Sequence, residues 1–347
     1  MNNPTTAGII ATFNQDRYIV EAIESLAGQV DQIIVVNDCS NDDTRAVLDS
    51  LRLGNLTVLH NDQQRGVSGS YNRAVAQASA EILLIQGGDD RSLPGRAAAQ
   101  KGYFADPTVS LVYSLPRVIN ARGGRLPDNL AAEFSIGHEA LDPLAFLFFE
   151  SNFICAPAAA LRRSDYLRWG GFRAGLDLLQ DYALWLDLAA TGSFVCLPRS
   201  VVEYRKHGTN LSREYVGVDA PKQRRLAAER EVIRNRFVAE TTAEARARLA
   251  LDRGLDLGHF RVLSAPEQVA LLQLAHPDKL VLRRGLAYLM NAAGAPDGEV
   301  QLDRLGLSLR DIARFATAAD HENLDDMGRA LAVAHSLTQA NSNRKDI

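Results

Sequence analysis

The residues best suited to do chemistry are acids that close apolar runs. Gly87-Gly88-Asp89-Asp90 follows Ile82-Leu83-Leu84-Ile85, which reads as a buried strand. Hard divalent cations such as Mg²⁺ or Mn²⁺ prefer oxygen ligands and typically join one or two carboxylates to a substrate's phosphates. The two glycines let a bulky diphosphate approach the backbone. Taken alone the segment is equally a polar turn, since Gly and Asp are both common there. Adjacent carboxylates that stay charged repel one another, however, which moves the reading toward a bound cation.

Three further segments carry candidate groups. Asn37-Asp38-Cys39-Ser40-Asn41-Asp42-Asp43-Thr44 follows a second apolar run, Ile33 to Val36. Ser40-x-x-Asp43 matches a capping box ahead of Val47, Leu48 and Leu51, so a helix start accounts for Ser40, Asp42 and Asp43. Asp38 is left over at the strand end, where a side-chain acceptor can read a base N–H or a ribose hydroxyl. Gln180-Asp181 opens an amphipathic pattern with Tyr182, Leu184, Trp185 and Leu188. Asp181 is either an ordinary acid of a helix N-terminus or a general base, which must lie near the attacking hydroxyl and need not touch a metal. Among the seven histidines, His207 follows the strand-like Val201 to Arg205 into a glycine-containing loop. It reads as a surface residue or as a phosphate or metal contact.

The elements that position these groups alternate. Short strands at Ala7–Thr12, Gln32–Val36, Leu56–His60 and Glu81–Gln86 are separated by helical periods beginning near Tyr18, Val47 and Ser68. Such alternation predicts an α/β fold with a mainly parallel sheet flanked by helices, ligands gathering at the carboxyl ends of the strands. The loops after Thr12, Val36 and Gln86 are expected on one rim. From Val109 the pattern loosens to α+β, with a helix near Asp142–Phe149 and another at Gln180–Ala190. Beyond about Ala220 it becomes a helical appendage broken at Gly254, Pro266, Pro277 and Pro296. Lys222, Arg224, Arg225, Arg230, Arg234 and Arg236 read as a solvated face, with contact to anionic lipid or a protein partner as the second reading.

Composition narrows the class. With 46% apolar and 23% charged residues in 347, the chain is an ordinary globular protein long enough for a large domain plus an appendage. A net charge of -4 provides no basic field for nucleic acid. Cys39, Cys155 and Cys196 are odd in number and include no Cys-x-x-Cys pair, which suits a reducing cytoplasm. Met1 to Thr6 lacks the pattern of a secretory signal. Apolar runs such as Leu144–Phe149 fall far short of the roughly 20 residues that span a bilayer.

Several segments together resemble the family 2 glycosyltransferases. The donor half is carried by Thr12-Phe13-Asn14, Asn37-Asp38-x-Ser40-x-Asp42-x-Thr44, Arg65-Gly66-x-Ser68-x-x-x-Asn72 and Gly88-Asp89-Asp90. The acceptor half is carried by Arg162-Arg163, Gly170-Gly171-Phe172, Gln180-Asp181-Tyr182-Ala183-Leu184-Trp185-Leu186 and Tyr204-Arg205-Lys206-His207. No one of these motifs is specific; their shared order over residues 6–212 is. The resemblance implies a GT-A fold, Rossmann-like, over residues 1–215, with a donor half of about 6–115 and an acceptor half of about 116–215, and a helical region at 216–347. It implies transfer of a sugar, with inversion, from a nucleotide-diphosphate sugar to a hydroxyl acceptor. A UDP-sugar is favoured, and saccharides or lipid-linked compounds are candidate acceptors in bacterial polysaccharide or glycoconjugate synthesis.

Residue by residue, the resemblance implies that Asp38 contacts the base and that Thr12, Phe13, Asn14, Arg65, Gly66, Asn72 and Asp89 line the nucleotide pocket. Asp89, Asp90 and His207 are the candidate ligands of Mg²⁺ or Mn²⁺, and Asp181 is the candidate base. Asn152, Gln180 and Arg205 are candidates for acceptor or phosphate contact. Phe146, Phe148, Phe149 and Phe153 either border the acceptor cleft or fill the core. The chain departs from the family pattern where Gly87 or Gly88 replaces an Asp of the metal motif, where Gln180 replaces Glu, and where Ala11 replaces Pro. Two rival readings share the sheet. A nucleotidyltransferase would carry a Gly-rich, basic loop after the first strand, which Thr12 to Tyr18 does not offer. A catalytically silent binding or scaffold protein would explain the incomplete metal motif.

Overall fold

The computed structural model describes residues 4–137, 140, 142–208, 210 and 220–320. The first elements alternate as expected: β1 (Thr6–Thr12), α1 (Ile19–Leu26), β2 (Gln32–Asn37), α2 (Thr44–Ser50), β3 (Leu56–His60), α3 (Gly66–Gln77) and β4 (Ile82–Gly87). There follow β5 (Arg91–Ser92), α4 (Arg96–Lys101), β6 (Val109–Ser114), β7 (Arg117–Asn120), α5 (Pro143–Phe149), β8 (Ala160–Arg162), α6 (Arg163–Arg168), α7 (Gln180–Thr191), β9 (Ser193–Leu197) and β10 (Val202–Lys206).

Seven strands form one sheet in the order β3-β2-β1-β4-β8-β6-β9, in which β8 alone runs against its neighbours. The central strands β1, β2 and β4 are buried on both faces, as continuous apolar runs in parallel sheets are. Gly8 lets Leu26 of α1 pack close to β1: a Cβ there would meet Leu26 Cδ1 at 2.6 Å. A second sheet, β5-β10-β7, pairs β10 with residues directly after the Gly87–Asp90 turn. The registers Thr12↔Asn37 and Ala11↔Gly87 bring the carboxyl ends of β1, β2 and β4 level. The loops after Thr12, Val36 and Gln86 therefore share one rim.

The chain divides into two compact units, residues 1–143 with 152–226 and residues 144–151 with 227–347. The second unit holds α8 (Ala220–Glu240) from Ala227 onward, α9 (Ala243–Asp252), α10 (Leu257–Val262), α11 (Ala265–Leu274), α12 (Lys279–Ala293), α13 (Gly298–Arg304) and α14 (Leu309–Asp320). It also takes in α5, which lies within the segment that the resemblance assigned to the acceptor half. Phe148 and Phe149 are core residues of this unit, packed against His276. The sequence-derived boundary at 215/216 lies outside the described residues.

His276 is buried and neutral. Its Nδ1 accepts from the Asp278 backbone, so its Nε2–H donates to Phe148 O at 2.7 Å. Burial, and then the nearby Arg234 charge, hold its pKa well below the usual range. Arg234 corrects the reading of α8 as a solvated basic face: only 2% exposed, it donates to Glu150 O and pairs with Asp278 at 3.1 Å. Arg234→Ala should lower the unfolding free energy by about 2–4 kcal/mol, because a partly buried carboxylate and a carbonyl lose their donor. A denaturation midpoint equal to wild type would count against this role. Among the described residues no helix is long and apolar enough to cross a membrane.

Candidate active site

The loops after β1 and β2 are tied to each other by side chains. Asn14 adopts a left-handed φ of 53°; its N–H donates to Ser40 Oγ at 2.9 Å and its Oδ1 accepts from Asn41 N at 3.0 Å. Ser40 Oγ in turn donates to Asn37 Oδ1. The expected capping box therefore does not form. Ser40 is spent on the neighbouring loop, and α2 starts later, with Asp42 Oδ1 accepting from Thr44 N at 3.0 Å. Thr12 donates to Gln15 Oε1 at 2.8 Å, and Phe13 stands 41% exposed.

Asp38 is buried at the end of β2. Its Oδ1 accepts from Asn61 Nδ2 at 2.7 Å and Arg65 N at 2.8 Å, and its Oδ2 from Gly66 N at 2.9 Å. Gly66, at φ 72°, lets the chain turn into α3 under that carboxylate. Oδ2 accepts a single bond and keeps acceptor capacity. The Arg65 side chain is exposed beside it.

The Asn72 side chain is hydrogen-bonded away from Asp38. Its Oδ1 accepts from Tyr166 Oη and from Phe172 N at 3.0 Å, and its Nδ2 donates to Phe172 O at 2.7 Å. The amide pins α3 to the Gly170-Gly171-Phe172 turn. A Cβ at Gly171 would sit 2.5 Å from Asn72 Oδ1, which explains the glycine.

The acidic pair after β4 is aimed by β10. Asp90 is buried, and its Oδ1 accepts from Arg205 N at 2.8 Å. Burial and then the Asp89 charge push its carboxyl well above the usual range, opposed by the Arg205 bond and by the Arg205 and Arg96 cations. Asp89 Oδ2 meets His207 Nε2 at 2.8 Å, and that imidazole stacks on Tyr18 with centroids 5.0 Å apart. Arg205 is not open to a phosphate. Only 2% exposed, it donates to Asp89 O, to Asn120 O and Ala121 O, and to Glu21. It is a clamp that fixes the pair rather than an anion contact.

Beneath the pair lies a buried polar knot. Arg96 donates to Gln86 Oε1, Ser92 Oγ, Gln100 Oε1, Ile85 O and Ala159 O, and burial pushes its pKa down to about 10.

Asp181, half-buried in the first turn of α7, accepts from Tyr182 N at 2.7 Å and from Asn152 Nδ2 at 3.2 Å. Burial raises its pKa to about 6, against the hydrogen bonds that favour the charged form. Gln180 is buried beside it, with no hydrogen-bond partner for its Oε1. The acids share one neighbourhood: after burial itself, the charges of Asp90, Asp89 and Asp181 all push the Tyr71 phenol up.

Whether a divalent cation fits is a question of donors. Asp89 and His207 already converge, and Gly87 leaves open a space in which a Cβ would meet Asp90 Oδ2 at 2.5 Å and Asp89 Oδ1 at 2.8 Å. Among the described residues no cluster of three such donors forms. The set therefore suits an ion completed by substrate phosphate oxygens.

Sequence reading missed Glu21, Asn61, Arg96 and Tyr18. Their contacts are long-range, and nothing in their local spacing separates them from ordinary helix and strand residues.

Residues 9–169 match the family model described as glycosyl transferase family 2. The uncharacterized protein MT1568 of Mycobacterium tuberculosis is 27% identical over 216 residues, 59% of this chain and 67% of that one. The uncharacterized glycosyltransferase MJ1057 of Methanocaldococcus jannaschii is 24% identical over 214 residues, 59% of this chain and 72% of that one. Among solved structures, residues 1–349 of S. aureus TarS in complex with UDP-GlcNAc superpose with a TM-score of 0.56 at 18% identity, covering 96% of this chain and 92% of that one. Against a longer TarS chain the coverage falls to 55% of its length. The sheet order, the strand-end loops and these likenesses agree: residues 9–169 match the glycosyl transferase family 2 model, and the chain has the GT-A fold.

Proposed function

We propose that the chain moves a sugar from a nucleotide-diphosphate sugar to a hydroxyl acceptor with inversion, Asp181 acting as the general base. The observation that carries this reading is the Asp181 carboxyl. Partly accessible, raised to about 6 by burial and oriented by Asn152, it is ionised at neutral pH yet still basic enough to take a proton. The acceptor's O–H bond breaks toward an Asp181 oxygen as the acceptor oxygen bonds the anomeric carbon. The bond from that carbon to the diphosphate oxygen breaks on the opposite face, and the diphosphate leaves with the electron pair.

The remaining residues bind and orient. Phe13 would cover a base, Asp38 Oδ2 would accept from its N–H, and exposed Arg65 would border the nucleotide. Mg²⁺ or Mn²⁺, held by Asp89 with His207 beside it, would supply charge stabilisation for the departing diphosphate. UDP is the favoured nucleotide, a choice supported by the UDP-GlcNAc complex of the TarS relative. TarS is named as a poly(ribitol-phosphate) beta-N-acetylglucosaminyltransferase, which supports a glycoconjugate acceptor here.

Calorimetric titration with UDP, GDP and dTDP, each with and without Mn²⁺, tests the donor side. UDP should bind most tightly, with its affinity rising tenfold or more in Mn²⁺. Failure of all three nucleotides to bind would sink the reading.

A further inference from the structure

Trp185 lies one helical turn beyond Asp181 on α7, the spacing at which two side chains share a face. Its ring is fully buried and meets Phe172 edge-on, with centroids 6.5 Å apart. Phe172 belongs to the turn that Asn72 pins to α3, so the indole is held from two elements. Its N–H is sealed from solvent and has no hydrogen-bond partner. A buried donor left unmade is unfavourable, and natural structures rarely keep one without a use.

The acceptor within its reach is the Asp181 carboxylate. That carboxylate already takes Tyr182 N at Oδ1 and Asn152 Nδ2 at Oδ2, and the indole N–H, without completing a bond, already favours its ionised form. Tyr71 on α3 and Cys155 ahead of β8, both kept neutral by burial, feel the charge of this carboxyl. After burial, the largest influences on Asp181 are hydrogen bonds, those from Tyr182 N and Asn152 Nδ2 foremost. Neutral N–H donors are therefore the main groups that hold the carboxylate.

We propose that Trp185 is a positioning residue for the base: its indole N–H is the third donor to the Asp181 carboxylate, engaged as that group turns toward the acceptor hydroxyl. One oxygen is then fixed by the indole while the other receives the proton. The inference rests on Asp181 being the base.

Two replacements isolate the N–H. Trp185→Phe removes it with part of the ring, and β-(3-benzothienyl)alanine at position 185 exchanges only the N–H for sulfur. For both, the acid limb of the transfer profile should move up by about one pH unit, which is about a tenfold loss on its acid side. UDP affinity should stay within about twofold of wild type, reporting an intact donor half. An unmoved acid limb in the benzothienyl protein overturns the proposal, whatever the Phe variant does. Loss of UDP affinity in that protein also overturns it, by making Trp185 a packing residue. Asp181→Asn measured alongside separates the two ideas: retained transfer there refutes the base, whereas lost transfer with unmoved limbs at position 185 refutes only the role of Trp185.

Discussion

Asp181→Asn should lower sugar transfer by about 100- to 10,000-fold, the usual contribution of a positioned base, with nucleotide affinity little changed. The amide keeps the shape and the bond from Tyr182 N but cannot accept a proton. Loss of fold does not offer a competing explanation, because the substitution removes a carboxylate whose charge burial disfavours. The pH profile of the wild type follows with a definite sign. The folded pKa lies near 6, above the ordinary 3.8, so Asp181 is protonated and inactive below about 6 and ionised above it. Transfer should rise through that pH and then level. The same shift makes the folded protein bind more protons than the unfolded chain between those two values, so Asp181's contribution to stability falls as pH rises through that window. Wild-type transfer rates in Asp181→Asn, or an acid limb near pH 4, would remove the base from the mechanism.

Asp89→Ala and Asp90→Ala should part company, although the two residues are neighbours. Asp89 reaches His207 and keeps 13% of its side chain exposed, whereas Asp90 is 2% exposed and caps Arg205 N. Removing Asp89 should abolish the Mn²⁺-dependent gain in nucleotide affinity and leave the melting temperature close to wild type. Removing Asp90 leaves a sealed backbone N–H without an acceptor and should lower stability by about 1–3 kcal/mol. Calorimetry with and without Mn²⁺, paired with thermal unfolding, reads both. The opposite pattern would make Asp90 the ligand and Asp89 the support.

Much of the frame was legible because parallel strands announce themselves. Ile33-Ile34-Val35-Val36 and Ile82-Leu83-Leu84-Ile85 are apolar throughout, and only strands buried on both faces need that. The acids that end them were legible for the same reason. Pairing between distant segments was not. Asn72 matches a motif by position, yet it serves the Gly171 turn, a contact across 100 residues. Arg205 carries a charge suited to phosphate, but its guanidinium is turned inward by Glu21 and three carbonyls. Ser40 had the spacing of a helix cap and instead found Asn37, three residues back, and the distant Asn14, which together outcompeted the cap. The assignment of α5 fell for a different reason. Leu144, Leu147, Phe148 and Phe149 say that the helix is buried, and say nothing of which core receives it.

The placement of α5 has an evolutionary corollary. Because residues 144–151 are donated to the helical unit from the middle of the sugar-transfer sequence, the chain crosses between the units three times. A recombination event at a single junction near residue 226 would therefore deliver the C-terminal helices without one of their core members and strand Phe148 and Phe149 without His276. The helical unit is thus interleaved with the first unit along the chain rather than appended as a cassette, and any exchange that keeps its core whole must carry the α5 segment with it.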